Sequence, residues 1–175
     1  GGRVTKRAFK KFERNPRDFY ATPHAAVIPL EPHLPGKIID FHEPCFGDGD
    51  LAGSLQGFGH NCSAATDIRW GEDAFDLTKC EGECFVTNPP WDRKVLHPLI
   101  THLSNLAPTF LLFDADWMHT KQSRPFMSRC RKIISVGRVS WLGNGVSGFD
   151  NCAWYEFDKH NTASTTFVGR NYEAV

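Results

Sequence analysis

Lys37-Ile38-Ile39-Asp40-Phe41-His42-Glu43-Pro44-Cys45-Phe46-Gly47-Asp48-Gly49-Asp50-Leu51 decides the fold: an apolar strand runs into an acidic, glycine-rich turn and then a helix. Gly47 and Gly49 permit positive φ and close backbone approach to a ligand. The helix, expected over 50–57, points its N-terminus at whatever sits on the turn. The turn lacks the third glycine of the dinucleotide fingerprint and the Gly-Lys-Ser/Thr of a phosphate loop. Glu43, Asp48 and Asp50 repel phosphate and suit a ligand carrying an amino group or a sulfonium. A second apolar strand, Ser63-Ala64-Ala65-Thr66, ends in Asp67, where a βαβ unit places an acid on ribose hydroxyls.

Further on, the apolar run Cys84-Phe85-Val86-Thr87 reads as a strand that ends in Asn88-Pro89-Pro90-Trp91. Two prolines fix φ and remove two backbone donors, so the Asn amide and the neighbouring carbonyls are held in one geometry. Asn and a Pro carbonyl supply two acceptors, and an indole supplies a stacking surface, which together suit a planar amine such as a nucleobase NH2.

Glu-Pro-x-x-Gly-x-Gly, then Asp67, then the Asn-Pro-Pro-Trp tip resembles the class I S-adenosylmethionine-dependent methyltransferases that modify exocyclic amino groups, above all the DNA N6-adenine enzymes. The resemblance spans roughly 18–158, and the order of its elements is the one called gamma. It implies an α/β, Rossmann-like class I methyltransferase fold, a mostly parallel seven-stranded sheet with one antiparallel hairpin strand. It implies catalysis at Asn88, Pro89, Pro90 and Trp91. It also implies a cofactor site of Tyr20, Thr22, Pro23, Glu43, Pro44, Phe46, Gly47, Gly49, Asp67, Ile68, Asp73, Phe75 and Asn88. Within that set, Tyr20-Ala21-Thr22-Pro23 would close over the methionine end, Asp67 would take the ribose, and Asp73 or Asp76 would take the cofactor adenine. Trp91 departs from the Tyr or Phe more common at the end of the tip.

The rest of the chain fits this reading. At 175 residues and 41% hydrophobic composition it suits one domain, and no apolar run is long enough to cross a membrane. Cysteines at 45, 62, 80, 84, 130 and 152 form no disulfide framework, which favours a reducing cytoplasm, a host's cytoplasm if this compact, phage-like form is phage-encoded. No metal site is expected. Lys6, Arg7, Lys10, Lys11 and Arg14 lie in a basic arm over 1–17, and Trp117, His119, Lys121 and Arg124 lie in a second basic segment without acids. These are the expected contacts to DNA, with RNA as the other candidate polymer. Apolar spacing predicts a helix over 93–107, a strand over 110–113, a helix over 122–131, a strand at 133–136 leading toward Trp141, a glycine-rich loop over 143–148, and a last strand over 152–157 forming a hairpin. The division expected is an arm at 1–17, a catalytic domain at 18–160 and a tail at 161–175, without a separate recognition domain, hence short or weak sequence specificity. Methylation of cytosine N4, RNA adenine, a protein glutamine or a small molecule, and an inactive nucleic-acid-binding module, are the alternatives.

Overall fold

The continuous apolar runs become strands covered on both faces. The computed structural model of the protein describes residues 21–141 and 150–171. Strands β1 (Asp40–Glu43), β2 (Asn61–Ala65), β3 (Cys84–Thr87), β4 (Thr109–Asp114), β5 (Cys130–Arg138), β6 (Asn151–Phe157) and β7 (Thr166–Val168) form one seven-stranded sheet of order β2-β1-β3-β4-β6-β5-β7. All four residues of β3 are buried, as a parallel strand sandwiched between layers requires. Strand β6 runs antiparallel to β4 and β5, and every other pairing is parallel. This is the α/β architecture expected from the sequence.

Helix α1 (His24–Val27) is tied to β6 by Trp154 Nε1, which donates to the Ala26 carbonyl at 2.8 Å. Helix α2 (Asp50–Gly57) has the expected limits and buries Leu51, Ala52 and Leu55. Helix α3 (Arg93–Leu106) starts at Asp92, whose side chain accepts the Lys94 N–H, and it buries Leu96, Leu99, Ile100 and Leu103. The core centres on Phe113, Tyr155 and Phe157, which stack on one another, with Trp117 edge-on to all three.

Three expectations are corrected. The first strand begins at Asp40 rather than at 37, because Ile38 is 70% exposed and the Ile39 N–H is taken by His60 Nδ1 at 3.1 Å. The helix expected over 122–131 is a run of 3₁₀ turns at Lys121–Arg129. Pro125 removes a donor there, Ser123 Oγ bonds back to the Thr120 carbonyl at 2.8 Å, and Cys130 already belongs to β5. The strand at 152–157 is not the last. β7 lies in the stretch expected as a tail, paired with β5 through Lys132↔Thr166 to Ile134↔Val168. The Thr165 hydroxyl anchors it by donating to the Cys130 carbonyl at 2.7 Å. The glycine-rich loop over 143–148, Tyr20 and the basic arm lie outside the described residues.

Candidate active site

Strand β1 is flanked by β2 on one side and β3 on the other, so successive connections leave it in opposite directions. A crevice opens at the carboxyl ends of strands at such a switch point, and ligands of open α/β sheets bind there. The two motifs read from the sequence end on its two walls: the acidic glycine turn leaves β1, and Asn88-Pro89-Pro90-Trp91 leaves β3.

The glycine turn is held from β2. Phe46 N–H donates to the Thr66 carbonyl at 3.0 Å, and Thr66 N–H to the Glu43 carbonyl at 3.0 Å. Gly47 (φ 60°) and Gly49 (φ 88°) are left-handed, and Gly49 caps α2 without any side chain. A Cβ on Gly49 would lie 2.8 Å from Phe46 Cζ, so the missing side chain makes room for that ring. Asp67, 5% exposed, grips the turn directly: one carboxylate oxygen accepts the Gly47 N–H at 2.6 Å. The other accepts Arg69 N–H at 2.8 Å and Arg69 Nε at 3.3 Å. The oxygen that accepts the Gly47 N–H retains acceptor capacity for a ligand hydroxyl.

Beyond Asp67 the chain turns twice in 3₁₀ form and leaves Ile68, Trp70 and Phe75 substantially exposed beside the crevice. Trp70 packs on Phe46 with ring centroids 5.4 Å apart. Trp70 is the residue missed from sequence; its only signal there was a bulky aromatic three residues past the strand-end acid. Asp73 is half-buried and spends one oxygen capping the next turn through the Phe75 N–H at 2.9 Å, whereas Asp76 is exposed.

Glu43 is 1% exposed at the end of β1, and one of its oxygens accepts the Cys45 N–H at 3.1 Å. Burial pushes its carboxyl up to about 8; Thr87 and the Cys45 N–H pull the other way, and the Asp67 charge adds to the rise. Among the described residues no cation forms an ion pair with it. The Thr87 hydroxyl, wholly buried beside Glu43 and Cys45, has no well-formed hydrogen bond within the described residues.

Thr22 and Asn88 meet at the tip, although 66 residues separate them: Asn88 Nδ2 donates to Thr22 Oγ1 at 3.3 Å. Pro89 is buried, Pro90 half-buried, and Pro23 leads into α1. Trp91 differs from the open stacking surface expected. It is only 9% exposed, and its Nε1–H is shared between Asn88 Oδ1 at 3.1 Å and the Leu112 carbonyl at 3.2 Å. Trp141 stands edge-on to it at 5.9 Å.

Of the expected nucleic-acid contacts, Lys6, Arg7, Lys10, Lys11 and Arg14 lie outside the described residues. Trp117 is corrected to a core residue: it is 1% exposed, and its Nε1 donates to His97 Nε2 at 2.9 Å. His119, Lys121 and Arg124 are exposed on the turns that follow β4, and Lys94 is exposed in the first turn of α3. Among the described residues no three His, Cys, Asp or Glu side chains gather as metal ligands would, and no helix is long and apolar enough to cross a membrane.

No family model matches the sequence, and no curated protein matches it significantly. Solved structures do match the fold. A dimethyladenosine transferase from Plasmodium falciparum superposes with a TM-score of 0.52 at 13% identity, over 79% of this chain and 62% of its own. The methyltransferase subunit of a type I restriction-modification system from Streptococcus thermophilus gives 0.54 at 8% identity, over 82% and 46%. The 23S rRNA methyltransferase ErmE gives 0.52 at 12% identity, over 82% and 71%. At these identities the likeness establishes the Rossmann-like methyltransferase fold.

Proposed function

We propose that this fold carries an S-adenosylmethionine-dependent methyltransferase that modifies the N6 amino group of adenine in DNA. The observation that carries the reading is that two devices leave the carboxyl ends of the neighbouring parallel strands β1 and β3, an acid-lined glycine turn gripped by Asp67 and the amine-accepting tip Asn88-Pro89-Pro90-Trp91. The residues present fit the cofactor. A buried carboxyl at Glu43 that forms no ion pair among the described residues suits an ammonium, one Asp67 oxygen has acceptor capacity left for ribose, and Ile68, Trp70 and Phe75 offer apolar surface to a purine. Bound there, S-adenosylmethionine supplies an electrophilic methyl group on a sulfonium.

The chain's own part is binding and orientation. Asn88 Oδ1 and the Pro89 carbonyl accept the two hydrogens of the target amine, which turns the nitrogen lone pair out of conjugation and toward the incoming methyl. Trp91 stacks on a base flipped from the duplex or taken from a single strand. Tyr20, Thr22 and Pro23 close the methionine end, Pro44 and Phe46 shape the turn, and Asp73, or Asp76, faces the cofactor adenine. Phosphates are held by the arm at 1–17 and by His119, Lys121 and Arg124. The catalytic unit extends past the expected 160 to include β7, which pairs with β5 in the same sheet, and the site of action is the cytoplasm.

The test is incubation with labelled S-adenosylmethionine and separate duplex DNA, single-stranded DNA, RNA and protein extract, followed by digestion and mass spectrometry. N6-methyldeoxyadenosine supports the proposal. Label in RNA adenine, in N4-methylcytosine or in glutamine replaces it with that alternative. Asn88→Ala is expected to abolish turnover while cofactor affinity stays within a fewfold of wild type; equal loss of both makes Asn88 a fold residue.

A further inference from the structure

The indole of Trp91 sits where the proposed reaction needs something else. Indole Nε1 is a donor only, so the Asn88 atom facing it is the amide oxygen and the nitrogen faces Thr22; the amide's orientation follows from its partners. The contact to Asn88 Oδ1 is therefore an N–H donated at 3.1 Å, the same bond at the same length that an exocyclic amine would form with that oxygen. The ring that would stack on a base is at the same time 9% exposed, with Trp141 edge-on at 5.9 Å, and presents no open face. Stacking on Trp91 is incompatible with the ring's present position, and the indole already takes one of the two acceptor positions of Asn88 Oδ1.

The second acceptor explains why the ring rests there. The last β3–β4 pair is Thr87↔Leu111, so the Leu112 carbonyl lies one residue beyond the end of β3, and the indole N–H approaches it at 3.2 Å. One hydrogen is divided between two acceptors. An arriving amine brings two hydrogens of its own and can replace the Asn88 arm at little net cost. Phe at this position has no polar hydrogen and cannot make the contact.

We infer that Trp91 keeps the tip closed by offering its indole N–H to Asn88 Oδ1 as a stand-in for the target amine, and that the ring must leave this position before a target base can stack on it. The inference rests on the proposed amino-group methylation and adds to it a selecting step: entry favours a group that can donate to Asn88 Oδ1 in the indole's place. A planar amine meets that requirement, and a ring carbonyl does not.

Trp91→Phe keeps an aromatic face and removes the N–H. Its KM for an adenine-containing duplex oligonucleotide is expected to fall roughly 2- to 12-fold, the range of one net hydrogen bond. The second readout uses the wild-type protein, so it does not depend on how the variant folds: the ¹⁵N–¹H signal of the Trp91 indole, followed in the presence of S-adenosylhomocysteine. Adding the oligonucleotide is expected to shift this signal and speed its exchange with solvent, and Asn88→Ala is expected to shift it without DNA. Methyl transfer by the wild type, combined with an unchanged or raised KM in Trp91→Phe and an indole signal unmoved by DNA, overturns the inference and leaves the methyltransferase standing. Absence of transfer to any polymer overturns the methyltransferase and the inference with it.

Discussion

Glu43→Gln removes a charge that the folded protein has reason to avoid. Glu43 ends β1 at 1% exposure. It is faced by Asp67 from the end of β2, Cys62 within β2, Cys45 on the turn and Thr87 from β3, none of which is a cation. Burial moves its carboxyl from an ordinary 4.5 to about 8. The unfolded chain gives up this proton near the ordinary value while the folded chain keeps it until about 8, so between the two the folded state binds the extra proton. Stability from this group is therefore complete below about 4.5, falls as pH rises, and is fully lost once pH passes about 8. At about 1.4 kcal/mol for each tenfold change in proton affinity, the whole interval amounts to on the order of 5 kcal/mol as an upper bound. Glutamine keeps the shape and the acceptor for the Cys45 N–H but does not titrate. The assay is thermal or urea unfolding of wild type and Glu43→Gln from pH 5 to 9. Their difference, in which the other titrating groups largely cancel, is expected to grow in favour of the variant up to about pH 8 and then level off. Parallel curves across the range would refute the buried, unpaired carboxyl. A cationic ligand group beside Glu43 favours its ionised form, so cofactor affinity in the wild type is expected to rise with pH over the same interval and to lose that slope in the variant.

Two further perturbations probe the walls of the crevice. Gly49→Ala puts a Cβ at φ 88° and 2.8 Å from the Phe46 ring; a loss of about 1–2 kcal/mol, or about 2–8 °C in midpoint, is expected by calorimetry, and an unchanged midpoint contradicts the packing described. Lys121→Ala with Arg124→Ala removes two exposed cations after β4; the slope of log affinity against log salt for duplex DNA is expected to shallow by about 1–2, and an unaltered slope removes this segment from the interface.

The local signals were read correctly where local physics is sufficient. Glycines at 47 and 49 specify a left-handed turn whatever surrounds them, the spacing of Leu96, Leu99, Ile100 and Leu103 specifies a helix with one apolar face, and four apolar residues closed by Asn-Pro-Pro specify a strand with an abrupt end. From those pieces in order the α/β class follows, and the resemblance they carry implies the mostly parallel sheet and a common site for Glu43, Asp67 and Asn88. Where each side chain ended up did not. Trp70, Trp91 and Trp117 are the same residue in the sequence, yet one is 51% exposed, one is enclosed at the tip and one fills the core. What separates them is a partner far along the chain, Leu112 for Trp91 and His97 for Trp117. β7 was illegible for the same reason, because three residues in a Thr- and Ser-rich stretch become a strand only by pairing with β5. Turns, periodicities and the available chemistry are written into the order of residues. Which groups water reaches, and with that the raised carboxyl of Glu43 and the indole hydrogen bond to Asn88, depend on folding, because burial and partner choice are set by contacts between segments distant in the chain.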